Sequence, residues 1–161
     1  REIHPLHIIL RVSWVFGAHG KNFVRTMLQL ARNNKELRVV NDQHGGPTPA
    51  SSISDVLLDL ARRYHRLPSR DFPWGTYHYV GQPTVSWYDF AHAIFEEAVS
   101  VGLIQTRPPM IAITTQDFPT PARRPANSTL DTSRIEATFG YSSPNWRKAL
   151  RKVLLNWKGK A

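Results

Sequence analysis

Two adjacent arginines, Arg123 and Arg124, stand inside the proline-rich run of residues 119–128, Pro-Thr-Pro-Ala-Arg-Arg-Pro-Ala-Asn-Ser. Proline fixes φ at about −65° and restricts the residue before it. Three prolines therefore hold both guanidinium groups on a stiff loop. A guanidinium carries a planar fork of donors that matches phosphate oxygens. The chemistry this spacing suits is recognition of a phosphorylated ligand. A rigid surface loop whose arginines pair with neighbouring carboxylates is the other reading, and the loop alone leaves both open.

Other reactive constellations fail on their spacing. Gly17 to Lys21 lies between an apolar run and a helical pattern, where phosphate loops sit. Only two residues separate its glycines, and Asn22 stands where a magnesium-holding Ser or Thr belongs. No Gly-x-Gly-x-x-Gly, His-Glu-x-x-His or Gly-x-Ser-x-Gly occurs, and the seven histidines are dispersed. With no cysteine there is no disulfide framework and no thiolate zinc site.

The elements that must position these residues alternate. Residues 8–16 read as one strand, apolar on both faces, as in a parallel sheet covered on each side. A helix follows with Phe23, Met27, Leu30 and Ala31 on one face, and Asn33 and Asn34 favour its end. Leu37–Val40 reads as a strand and 41–49 as a loop. Ser52 and Asp55 resemble a helix N-cap pair, with Ile53, Leu57, Leu60, Ala61 and Tyr64 turned inward. Thr76–Val80 alternates like a strand. Ser86 and Asp89 form a second cap pair, and Gly102 stops the helix they begin. Met110–Ile113 reads as a strand. A short helix over Ser133–Phe139 ends at Gly140. Pro144 suits the first position of a last helix whose stripe is Trp146, Leu150, Val153, Leu154 and Trp157. The pattern is α/β.

At 161 residues and 41% hydrophobic, the chain is long and apolar enough for one real core. No apolar run reaches the length of a membrane span, which points away from a membrane partner. The formal charge of +9 invites a nucleic-acid reading. Its distribution points elsewhere. Arg147, Lys148, Arg151, Lys152, Lys158 and Lys160 crowd the C-terminal end with no acid among them. Helical spacing makes them a solvated face, with cations favoured near a helix C-terminus. The expectation is no nucleic-acid partner.

Several segments together resemble the extended short-chain dehydrogenase/reductases. They are Arg11 to Gly17, Asn22-Phe23, Asp42-Gln43, Gly46-Pro47-Thr48, Ser86 to Ala91, and the arginine loop followed by Asn127-Ser128 and Leu130 to Thr132. In order and content they are most similar to the dTDP-4-dehydrorhamnose reductase branch, from about residue 8 to about residue 157. The resemblance implies NADPH- or NADH-dependent reduction of the C4 ketone of dTDP-4-dehydro-L-rhamnose to dTDP-L-rhamnose, a precursor of bacterial surface polysaccharide made in the cytoplasm. The implied fold is the last Rossmann strands plus a small substrate-binding domain. By motif, Trp14 matches a tryptophan that meets the sugar, although it also reads as core. Asn22 and Gln43 would bond hydroxyls or base edges, or serve as loop and cap residues. Phe23 would stack on thymine or pack in the core. Pro47 and Thr48 would wall the nucleotide pocket, and Arg123 or Arg124 would meet the diphosphate. Trp87 and Tyr88 read as structural.

That family's Gly-rich cofactor loop is missing here, and so is its Tyr-x-x-x-Lys, since no tyrosine has lysine four residues on. The expectation is that residues 1–161 form the C-terminal sugar-nucleotide-binding portion. No catalytic residue, no metal site and few or no cofactor contacts are expected from them. The N-terminal Rossmann half would be a partner and a homodimer is possible. A stand-alone, non-catalytic sugar-nucleotide-binding module is the alternative.

Overall fold

A computed structural model describes residues 4–33, 36–67, 69–122 and 124–159. Asn34, Arg123 and Lys160 lie outside the described residues. In chain order the elements are β1 (Ile8–Arg11), β2 (Val15–Phe16), α1 (Phe23–Asn33), β3 (Leu37–Val40), β4 (His44–Gly45), β5 (Thr48–Pro49), α2 (Ala50–Tyr64), β6 (Gly75–His78), β7 (Val85–Ser86), α3 (Trp87–Ser100), β8 (Met110–Ile113), β9 (Asn127–Ser128), α4 (Ser133–Phe139) and α5 (Trp146–Lys158). Parallel pairs dominate: β1 with β6, β2 with β5, and β3 with β8. β4 lies between β7, to which it runs antiparallel, and β9, to which it runs parallel. The α/β architecture matches the expectation. Among the described residues no helix is long and apolar enough to cross a membrane.

The apolar residues divide into two cores. One joins α1, α3 and α5 around Phe16, Val24, Phe90, Ile94, Trp146 and Leu154. The other sets α2 and α4 against β6, with Val56, Leu60, Tyr77, Ile135 and Phe139 at its centre. Their separation explains the main departure from the sequence reading. The expected single strand over 8–16 is two strands, because the chain must leave one core and enter the other. It does so at Trp14, whose φ of 45° is left-handed. That conformation is rare for a bulky residue.

The seam between the cores is polar and tight. Thr48 is fully buried. Its hydroxyl donates to the Gly46 carbonyl at 3.0 Å and accepts from the Gly81 backbone N–H at 3.2 Å. The Ser13 hydroxyl donates to the same Gly46 carbonyl at 3.2 Å. A side chain on Gly81 would place its Cβ 1.9 Å from the Pro47 carbonyl oxygen, so only glycine fits that crossing. The 41–49 segment, expected to be a plain loop, thus contains β4 and β5.

Two helix starts also differ. α2 begins at Ala50 behind Pro49, with no side-chain cap. Ser52 instead lies within the first turn of α2. Its buried residues are Val56 and Leu60, while Leu57 and Tyr64 are exposed at 48% and 39% and Ala61 is exposed too. Leu30 on α1 is likewise exposed. α5 starts at Trp146 rather than Pro144, because Asn145 caps it by accepting from the Lys148 N–H at 3.2 Å. Ser86 and Asp89 form the expected capping box, and Gly102 and Gly140 follow their helices with positive φ.

Candidate functional site

Strand β4 organises the expected binding residues. On one side of it stands Trp14. Its indole stacks on Trp87 with centroids 3.6 Å apart and planes 11° from parallel. A Cβ on Gly45 would lie 2.6 Å from Trp14 Cε2 and 2.8 Å from Nε1, which places Gly45 over the ring rather than at its rim. Trp87 already fills one face, so Gly45 covers the other. Phe23 extends the cluster, 4.5 Å from Trp87 and 5.6 Å from Phe90 between centroids. The Thr48 N–H donates to the Trp14 carbonyl at 3.1 Å, and Pro47 is buried beside it.

On the other side, both feet of the arginine loop are held by residues 42–45. The Asp42 carboxylate accepts from the Thr115 N–H at 2.9 Å and from its hydroxyl at 2.7 Å. Those bonds favour the ionised form and hold the Asp42 pKa below the usual carboxylate range. Gln43 is buried and its amide donates to the Thr115 hydroxyl at 3.0 Å. At the far foot the His44 N–H donates to the Ala126 carbonyl at 2.8 Å, and β9 pairs with β4. Asp117 accepts from the Thr114 N–H and hydroxyl, which lowers its pKa as well. Arg124 is exposed, and among the described residues it has neither an ion pair nor a hydrogen bond. The reading of Arg124 as one half of a surface ion pair therefore has no carboxylate to support it among the described residues.

Thus Trp14, Phe23, Gln43, Pro47, Thr48 and the roots of the loop that carries Arg124 converge on β4. Asn22 sits differently. Its Oδ1 accepts from the Arg25 N–H at 3.3 Å, capping α1, and its Nδ2 donates to the Gly17 carbonyl at 2.9 Å. Its amide is committed to the protein. The Arg25 N–H at the start of α1 is therefore met by the Asn22 side chain.

Sequence reasoning passed over Gly45, Trp87 and Thr115 as parts of this site. Trp87 lies on the apolar stripe of α3, so its pattern announces packing alone; only the tertiary stack ties it to Trp14. Asp42 was within a quoted motif, but nothing in the spacing links it to a residue 73 positions on. An open hollow of about 680 Å³ lies elsewhere, between the start of α2, the 17–19 turn and α5, and includes Lys148 and Lys152 with Asp55. None of the expected binding residues lines it. Among the described residues no group of three or more side chains could hold a metal ion.

Comparison with known proteins adds to this geometry. Residues 1–158 match the family described as RmlD substrate binding domain. The dTDP-4-dehydrorhamnose reductase of Aggregatibacter actinomycetemcomitans is 48% identical over 151 residues, covering 94% of this chain and 51% of that protein. The Escherichia coli K12 enzyme of the same name is 39% identical, covering 96% and 50%. A crystal structure of a Clostridium acetobutylicum dTDP-4-dehydrorhamnose reductase superposes with a TM-score of 0.79 at 32% identity, covering 94% of this chain and 49% of that one. The chain spans about half the length of the curated relatives it matches.

Proposed function

Because the chain belongs to the RmlD substrate binding domain family, we propose that it supplies the sugar-nucleotide site of a dTDP-4-dehydrorhamnose reductase. The reaction would be reduction of the C4 ketone of dTDP-4-dehydro-L-rhamnose by NADPH or NADH. The observation that carries this reading is the convergence on β4. A wall of Trp14, Pro47 and Thr48 and both feet of a cation-bearing loop are fixed to one short strand.

The chain's own residues do not fit the nicotinamide cofactor. It has neither a Gly-x-Gly-x-x-Gly nor a Tyr-x-x-x-Lys. In this proposal the cofactor and the proton-donating tyrosine belong to a complementary Rossmann half. What this chain does is bind and orient. Arg123 or Arg124 neutralises the diphosphate, Trp14 meets the sugar, and the buried Gln43 and Thr48 hold the loop foot and the wall in place.

The complementary half would dock beside β1, on the face where Ile9 is exposed, opposite the one that Ile8 and Leu10 turn to α2. Among the described residues β1 pairs with β6 alone, so its other edge has no strand neighbour among them. Light scattering of the isolated chain is expected to show self-association through this face. A clean monomer that binds no hydrophobic dye would remove the docking proposal.

The binding proposal is tested by titration calorimetry of the chain with dTDP. Charge-assisted phosphate contacts contribute about 1.5–3 kcal/mol. Replacing the contacting arginine by Ala should therefore weaken dTDP roughly 10- to 100-fold. Wild-type affinity in both Arg123→Ala and Arg124→Ala overturns the assignment. No NADPH oxidation is expected from the chain alone with dTDP-4-dehydro-L-rhamnose.

A further inference from the structure

We propose that Trp87 and Gly45 are positioning residues that clamp Trp14 so that it reads the sugar through its indole N–H edge rather than through a ring face. This rests on the dTDP-sugar reading above and concerns how that site selects the sugar.

Three independent observations meet at Trp14. Its backbone is left-handed at φ 45°, a strained conformation for a large side chain. Such strain persists only where surroundings over-determine it, and it gathers at ligand sites. Both ring faces are occupied, one by Trp87 at 3.6 Å and the other by the Gly45 backbone. A sugar cannot stack on a face that is already in van der Waals contact. The remaining surface is the ring's edge, and that edge carries a donor.

The donor is open. The Trp146 and Trp157 N–H groups donate to the Pro83 and Ala18 carbonyls, each at 2.7 Å. The Trp14 N–H has no acceptor among the described residues. No described buried side-chain nitrogen or oxygen lacks a partner, so the Trp14 N–H is reached by solvent. Indole nitrogen donates and cannot accept. The ligand atom it suits is therefore an acceptor oxygen, a hydroxyl or carbonyl of the sugar. Gly45 has no substitute in this clamp, because any Cβ there would enter the indole. Trp87 fixes the tilt, and α3 holds Trp87 through the Ser86–Asp89 capping box.

The test compares dTDP with dTDP-L-rhamnose on the same chain, since the difference isolates the sugar. Trp14 is replaced by 3-benzothienylalanine, which keeps the bicyclic shape and removes only the N–H. Separately, Trp87→Leu removes the stack while leaving Trp14 intact. Each is expected to weaken dTDP-L-rhamnose about 5-fold, the scale of one net hydrogen bond, with dTDP affinity unchanged. Trp87→Leu should also abolish the near-ultraviolet exciton signal of the stacked pair, whereas the isostere should alter but retain it. Trp87→Phe, which restores an aromatic backing, should recover most of the sugar affinity. If the isostere binds dTDP-L-rhamnose as tightly as wild type, the edge reading fails while the proposed function stands. If Trp87→Leu loses the exciton signal but keeps wild-type sugar affinity, the positioning role fails. If wild type binds neither ligand, the proposed function falls and takes this inference with it.

Discussion

The wall around Trp14 and the arginine loop face the same strand but are built in opposite ways. In the wall, Thr48 is fully buried, Gly45 and Gly81 are in close backbone contact, and Trp14 is held on both faces. In the loop, residues 116–122 and 124–127 are exposed, Phe118 to 54%, and among the described residues its ties to β4 lie at the feet. The difference separates two tasks. Shape must be fixed before a ligand arrives, so the groups that define it are buried and bonded. A charge that meets phosphate keeps its hydration until binding, so it stays outside, where an unpaired guanidinium costs little. Changes to the wall should act on stability first, and changes to the loop on affinity first.

The strongest break in that contrast is Gly81→Ala. The added Cβ would lie 1.9 Å from a backbone carbonyl oxygen, and neither partner is a flexible side-chain end. A loss of about 3 kcal/mol or more is expected, at the upper end for overpacking. Urea unfolding measures it, and a midpoint near wild type would show that the seam is not the rigid joint described above. Thr48→Val should follow in size. It keeps the volume but leaves the Gly81 N–H without its acceptor. An unsatisfied buried donor costs about 1–3 kcal/mol. If Thr48→Val is neutral, the polar seam is dispensable.

How far the sequence reached follows the same division. Where local chemistry decides, the reading matched: Ser86 with Asp89 caps α3, Gly102 and Gly140 follow helix ends, and β3 and β8 fall on their expected residues. Where distant partners decide, it did not. Nothing around residue 14 signals a positive φ, because the clamp comes from Gly45 and Trp87, far along the chain. β4, β5, β7 and β9 are two residues each, too short for any periodicity. Ser52 resembles a cap because its spacing to Asp55 is right, but α2 already begins at Ala50 behind Pro49, which leaves Ser52 inside its first turn. The loop arginines were conspicuous from local composition, yet the ties of their loop to Asp42 and Gln43 were not.

Arg124→Ala tests the loop's side of the contrast. With no ion pair or hydrogen bond among the described residues to lose, its stability should stay within about 0.5 kcal/mol of wild type, as for ordinary surface substitutions. The affinity loss set out above should appear without a change in melting temperature. A large drop in melting temperature would mean that the loop is part of the structural frame after all.

The smallest effect expected lies where wall and loop join, at Asp42. Its carboxylate holds the Thr115 N–H and hydroxyl, the first-named bond being the larger cause of its lowered pKa; Asp117 nearby opposes it weakly. A carboxylate with a folded-state pKa below its ordinary 3.8 favours the folded form above that value. The contribution fades as pH falls through the lower, folded value. The loop's near foot should therefore stay anchored at neutral pH and loosen only in stronger acid than a free aspartate needs. The Thr115 amide resonance, followed by NMR from pH 6 downward, should titrate with a midpoint below 3.8. Asp117 titrates in the same direction through Thr114, so Asp117→Asn should leave the Thr115 midpoint in place while Asp42→Asn removes it. Asp42→Asn should also weaken dTDP binding less than Arg124→Ala does, because it frees the loop's foot without removing its charge. A Thr115 midpoint at or above 3.8, or one that survives Asp42→Asn, would mean that Asp42 does not anchor the loop, and that wall and loop are joined through Gln43 and β9.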